Sequence, residues 1–173
     1  MTYKLQPYSL EDAELRYNAV FESRDHLAPT IPWVLDYTIE KSEAWIKKMV
    51  THPDGTEYPF KILNDKNEYV GEFRIIEVIT NSFERFASTA YWIRKHYLRQ
   101  GAASEGLRLG AKFAFEELQL WRLQVMILPD NLKSIQVALK VGAKYEGQLR
   151  NQWNIHGEFK HPLLYSLTPD DLK

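Results

Sequence analysis

Apolar residues at Leu10, Ala13, Tyr17 and Val20 recur at spacings of three and four, which places them on one face of a helix. Ser9, with Asp12 three residues on, supplies a start signal, so a helix is predicted over roughly Leu10 to Ser23 after a short strand from Tyr3 to Tyr8. The segment from Arg24 to Asp36 carries Pro29, Pro32 and Trp33 and reads as a loop of the kind that lines a pocket. A second helix, about Ile39 to Val50, turns Trp45, Ile46 and Met49 inward and Lys41, Lys47 and Lys48 outward, and His52-Pro53-Asp54-Gly55 stops it. Strands are then predicted at Glu57 to Leu63 and Tyr69 to Ile79, joined at Asn64-Asp65-Lys66-Asn67. A further strand, Phe86 to Arg94, follows the turn at Thr80-Asn81-Ser82.

Between that strand and the next apolar stripe stands Tyr97-Leu98-Arg99-Gln100-Gly101-Ala102-Ala103-Ser104-Glu105. Leu107, Ala111, Ala114 and Leu118 predict a helix from Ala103 to Leu118, whose first turn presents N–H groups without intrahelical partners. Small side chains at Gly101, Ala102 and Ala103 leave the backbone open to an anion, and the helix dipole and Arg99 favour one. Taken alone, these residues read more readily as an ordinary tight turn feeding a helix than as an anion site. Gly106 and Gly110 each cost ~1 kcal/mol of helix propensity against alanine, a cost that close packing of a strand or a cofactor would offset. Arg122 to Leu128 reads as a buried strand, Pro129-Asp130-Asn131 as turn and cap, and Leu132 to Val141 as a helix closed by Gly142. Two last strands, about Lys144 to Gln152 and Phe159 to Leu167, flank a loop with His156-Gly157. Written as βααββββαβαββ, the order predicts one α/β (α+β) domain over residues 1–173, with four helices and a mixed central sheet of about seven strands.

At 173 residues and 45% hydrophobic, the chain is long enough for one domain with a substantial core. A formal net charge of −1 argues against direct nucleic-acid binding and a polybasic membrane anchor. The absence of cysteine excludes disulfides, thiolate metal sites and thiol catalysis. Met1 to Leu15 has no apolar leader core and no apolar run approaches the ~18 residues of a membrane span, so a cytoplasmic protein is expected. His156-x-Glu158-x-x-His161 invites a metal reading, but it spans a loop and a strand start without fixed geometry, and no metal is expected.

Several motifs stand in a telling order: Tyr91-Trp92-Ile93, Gly101-Ala102-Ala103-Ser104-Glu105, Phe115-Glu116-Glu117-Leu118, Trp121-Arg122-Leu123, Asn131-x-x-Ser134, Val141-Gly142-Ala143 and Glu146-Gly147-x-Leu149-Arg150. Together they resemble a GNAT-fold N-acetyltransferase, and within that superfamily the ribosomal-protein N-terminal (alanine/serine) acetyltransferase branch. The first half resembles it more loosely, through Pro7, Asp12, Ser23, Leu27 and Trp33. The resemblance implies acetyl-CoA as donor, bound where two neighbouring parallel strands splay apart. It implies that backbone around Trp92 and Ile93 holds the pantetheine arm, that Arg99, Gln100, Gly101, Ala102, Ala103 and Ser104 wrap the pyrophosphate, and that Asn131 and Ser134 face thiol and pantetheine, with Ser134 as candidate general acid. As structure alone, Asn131 is a good helix cap and Ser134 an ordinary first-turn residue. Leu98 departs from the family's usual Gln or Arg, Trp153 lies near a position where some members carry glutamate, and His161 stands where aspartate is common. Glu72, Glu77 and Tyr91 lie on strands that border such a site, although strand glutamates are more often solvated, and the base stays unnamed.

Only a neutral amine attacks, and an N-terminal amine of pKa near ~8 is about a tenth neutral at pH 7, whereas lysine near ~10.4 is almost wholly charged. The leading expectation is therefore direct transfer, in a ternary complex, to a protein N-terminal amine, ribosomal proteins included. A small amine (polyamine, amino sugar, amino acid) or a CoA-binding module without turnover are the alternatives, and homodimerisation is left open.

Overall fold

The segment after the second helix contains two turns, at Asp65–Glu68 and Asn81–Glu84, and two turns make a meander of three strands. In the computed structural model, which describes residues 2–51, 54–155 and 157–173, these are β2 (Tyr58–Asn64), β3 (Tyr69–Thr80) and β4 (Arg85–Ile93), and β1 (Tyr3–Pro7) pairs antiparallel with β2. The order βααββββαβαββ is corrected here, since three strands and not four stand between the second and third helices. The last two expected strands also break up. Lys144–Gln148 forms β6, a separate hairpin forms from β7 (Trp153–Ile155) and β8 (Glu158–Lys160), and Leu163–Leu167 forms β9. Asn151 with φ 55° turns the first of these segments, and Pro162, which has no N–H to donate, interrupts the second. With β5 (Arg122–Ile127), the seven-stranded mixed sheet runs β1-β2-β3-β4-β5-β9-β6.

Among the described residues, four α-helices cover it: α1 (Ala13–Leu27), α2 (Ile39–Thr51), α3 (Ala102–Glu116) and α4 (Leu132–Val141). The helix expected from Leu10 to Ser23 is shifted, because Ser9 and Asp12 close a capping box over a 3-10 turn at Leu10–Asp12, and Ser23 and Leu27 continue the buried stripe. The expected loop after it contains a 3-10 turn at Pro32–Asp36. His52 and Pro53, the stop expected for α2, lie outside the described residues. Among those residues no helix is long and apolar enough to cross a membrane.

Two cores lie against the sheet. One joins Ile62, Phe73, Ile75 and Leu123 to Leu107 and Ala111 of α3, and the other joins Leu63, Tyr69 and Trp92 to Val20 and Leu27 of α1 and Ile46 of α2. The glycines of α3 belong to the first. A Cβ at Gly110 would stand 1.9 Å from Phe73 Cε1, and one at Gly106 would stand 2.7 Å from Ile62 Cδ1, so strand side chains fill the space they leave. Gly110→Ala should therefore destabilise the fold by roughly 1–3 kcal/mol through overpacking, despite its gain in helix propensity. Thermal unfolding checks this, and an unchanged or raised midpoint would mean that α3 shifts freely over the sheet.

Candidate active site

Parallel strands need a crossover, and α3 supplies it between β4 and β5. Their pairing is brief: Phe86, Ala87 and Ser88 face Arg122, Leu123 and Gln124, and the ladder ends there. Thr89 Oγ1 donates to Gln124 O at 3.3 Å beside the last pair. Further on, β4 still pairs with β3 as far as Ile93 with Gly71, and β5 with β9 as far as Ile127 with Leu163. Only the facing edges lack a ladder partner. A cavity of about 790 Å³ lies between them, lined by Thr89 to Ile93 on one side and Val125 to Leu128 on the other.

The pleat decides which backbone groups reach this cleft. Arg94 N–H donates to Val70 O at 2.9 Å, so Arg94 and Trp92 turn their backbone groups to β3, and those of Tyr91 and Ile93 face the cleft. One of these is already used, because His26 Nε2 donates to Ile93 O at 2.8 Å. Trp92 instead offers its side chain, packed edge-on to Tyr69, with an indole N–H that is buried and has no hydrogen-bond partner. Such an orphan donor is costly in a core.

The turn into α3 is built from two left-handed residues, Arg99 at φ 62° and Gly101 at φ 87°, the latter serving as N-cap. A Cβ at Gly101 would meet no atom within 4 Å, so the surface there is open. Gln100 is tied down by its carbonyl, which accepts from Tyr3 Oη at 2.9 Å, and by its amide, which donates to His96 O at 3.1 Å. The residues expected around a cofactor are divided by this turn. Trp92, Ile93, Ala103, Asn131 and Ser134 line the large cavity, together with Leu98. Gln100, Gly101 and Ser104 line a second cavity of about 360 Å³, with Arg108, Lys140 and Lys173. Arg99 lines neither, and Ala102 is 2% exposed and packed into the core.

At α4, Asn131 Oδ1 accepts from Ser134 N–H at 3.2 Å, the capping bond expected of it. Tyr91 crosses from β4 and donates weakly to Ser134 O at 3.5 Å. Burial pushes the Tyr91 phenol up to about 12, against the lowering effect of its bond to Ser134, so it stays protonated at neutral pH.

The two strand glutamates differ from one another. Glu77 is exposed, in a bulge with φ 55°. Glu72 is not solvated, which corrects the reading of both as exposed. It is 1% exposed and accepts from Arg16 Nε at 2.6 Å, Arg16 Nη2 at 3.2 Å and Tyr8 Oη at 2.7 Å. Burial alone would raise its pKa, but the charge and hydrogen bonds of Arg16 outweigh burial and hold it below the usual carboxylate range. A carboxylate held ionised by a guanidinium is a poor proton acceptor. This network is absent from the sequence reading, although a signal existed: Arg16 lies three residues after Ala13 and four before Val20, a charge on the buried stripe.

Trp153 lines the large cavity. His161 Nδ1 accepts from Asn151 N–H at 2.9 Å, Glu158 pairs with Lys160 at 2.6 Å, and His156 lies outside the described residues. Among the described residues no three His, Asp or Glu side chains are grouped to hold a metal ion.

The sequence model of the acetyltransferase (GNAT) domain family matches residues 3–144. The chain is 29% identical over 175 residues to the probable N-acetyltransferase YjcK of Bacillus subtilis (strain 168), covering 98% of this chain and 96% of that protein. It is 26% identical over 163 residues to the spermidine N(1)-acetyltransferase of Escherichia coli (strain K12), covering 92% and 82%. The solved structure of Mycobacterium smegmatis RimJ in complex with CoA-disulfide superposes with a TM-score of 0.88 at 24% identity, covering 98% of this chain and 83% of that one, a likeness of fold.

Proposed function

Since the chain belongs to the acetyltransferase (GNAT) family, we propose that this N-acetyltransferase moves an acetyl group from acetyl-CoA to a protein N-terminal amine, ribosomal proteins included, with residues 1–173 acting as one domain. The observation that carries the donor is the cleft, where two parallel strands stop pairing after Ser88 and Gln124 and leave backbone groups of Tyr91 and Ile93 facing a cavity that Ala103, Asn131 and Ser134 share. These residues fit a pantetheine arm, and the turn from Arg99 to Ser104 fits a pyrophosphate, because it ends in partner-free helical N–H groups behind an open Gly101. Acetyl-CoA supplies an activated acetyl thioester. The chain supplies a hydroxyl at Ser134 as proton donor, a protonated phenol at Tyr91 beside it, and the positive end of the α4 dipole.

Acetyl-CoA should stabilise the native chain by RT ln(1 + [L]/Kd), about 2.7 kcal/mol at 100 times its Kd. A melting curve indifferent to saturating acetyl-CoA, with no calorimetric heat, would remove the donor from this reading.

The acceptor follows from its own acidity. Glu72, the buried carboxylate on the cavity wall, is held ionised by Arg16 and is a poor acceptor for an ammonium's proton. Activity should then rise with pH toward the acceptor's pKa, near ~8 for an N-terminal amine, and favour that amine over lysine at neutral pH. Mass spectrometry of a peptide carrying both groups locates the product, and acetylation of lysine alone would overturn the preference. A polyamine acceptor is the second reading, supported by the 26% identity to a spermidine N(1)-acetyltransferase. The hold of Arg16 on Glu72 weighs against it, because the buried carboxylate on the cavity wall is already paired.

A further inference from the structure

Arg16 is a cation buried to 2% exposure within a cluster of polar and aromatic side chains. Its Nε and Nη2 cover both oxygens of Glu72, its Nη1 donates to the Tyr37 hydroxyl, and its guanidinium carbon lies 3.9 Å from the Trp45 ring centroid, 5.2 Å from that of Tyr37 and 5.4 Å from that of Trp33. Two members of this cluster, Glu72 and Trp33, line the large cavity. Resting on the acceptor reading above, we infer that Arg16 determines acceptor charge: by occupying Glu72 it withholds the cavity's buried carboxylate, so that the site takes an amine with one cationic centre and discriminates against polyamines.

A second ammonium needs a carboxylate with free acceptor positions. Glu72 has little left to offer, because Tyr8 Oη adds a third bond to the two from Arg16. Aromatic faces are the other seat for an ammonium, and the guanidinium already lies over Trp33, Tyr37 and Trp45. Arg74, which does line the cavity, pairs with Glu57 at 2.8 Å, so its charge is already compensated. Arg16 thus acts through Glu72 and Trp33 without reaching the acceptor itself.

The test is spermidine binding to the CoA-saturated protein at pH 8, by calorimetry, for the parent, Arg16→Met, and the paired variant Arg16→Met with Glu72→Leu. Arg16→Met should bind spermidine at least about tenfold tighter than the parent, the scale of one charge-assisted hydrogen bond. The paired variant should stay within about threefold of the parent, because neither lost group anchors the polyamine there. A folded Arg16→Met that binds spermidine no tighter would overturn the inference. So would a tenfold loss in the paired variant, which would show Glu72 holding the polyamine in spite of Arg16. If Arg16→Met does not fold, Arg16→Lys takes its place, since a lysine keeps Glu72 paired but covers fewer of its acceptor positions; spermidine should then bind more tightly than to the parent, and an unchanged affinity would overturn the inference. Turnover keeps the two readings apart: a parent that acetylates spermidine and ignores peptides would end the N-terminal acceptor reading and the discrimination with it, whereas a parent that acetylates peptides, with no gain of spermidine binding in Arg16→Met, would end the inference alone.

Discussion

Gly101→Val should weaken acetyl-CoA binding by about tenfold or more and leave acetyl-pantetheine nearly untouched. At φ 87° the residue sits where a β-branched side chain is strained by roughly 1–2 kcal/mol. Relaxing that strain moves the N–H groups at the start of α3, and each charge-assisted phosphate bond lost costs ~1.5–3 kcal/mol, which is tenfold or more in affinity. Direct overpacking is not the cause, because a Cβ at this position meets nothing within 4 Å. Acetyl-pantetheine lacks the pyrophosphate and so reports the rest of the cleft. Equal losses for both donors would mean that the turn supports the fold and holds no phosphate.

Arg16→Met should cost about 3–5 kcal/mol of stability, because Glu72 would be left as a buried charge without its partner. That is a large share of the ~5–15 kcal/mol available to a domain. Adding Glu72→Leu should restore most of it, since an apolar pair of similar volume avoids two desolvation costs. The parent should also show an acid dependence that the paired variant lacks. The folded pKa of Glu72 lies below its ordinary value, so its contribution is complete above the unfolded carboxylate pKa and is lost as pH falls from there through the lower folded value. Urea unfolding from pH 7 to pH 3 measures both effects. Parallel stability profiles for parent and paired variant would show that the ion pair is not what acid breaks.

The local features of this protein were legible because local forces make them. The stripe Leu107, Ala111, Ala114 and Leu118 predicts α3 within two residues at either end, and the Asn131 cap and Gly142 stop bracket α4 as expected. Gly101 stood out through its small neighbours, and its left-handed conformation follows from a tight turn with no Cβ to oppose it. Boundaries moved where a neighbour's preference intervened, as at Pro162, which splits the last expected strand, and at Leu27, whose burial extends α1.

Other choices required the folded chain. Whether α3's glycines yield to a strand or to a ligand depends on Phe73, a residue 37 positions earlier than Gly110, and periodicity within a helix carries no information about what lies across from it. The same limit hid the partner of Glu72, because Arg16 is 56 residues away and only the packing of α1 over β3 brings them together. Chain order separates Ala102 from Ala103 by one peptide, yet helical rotation sends the first into the core and the second to the cavity wall. The sequence alone determined the helices and the turn, since their signals are periodic or confined to a few residues, and the candidate donor came from the family resemblance that its ordered motifs carry. Where β4 and β5 cease to pair, which backbone groups that leaves open and which carboxylate is already occupied were decided by contacts between distant segments, whose free energies exist only once the sheet has closed.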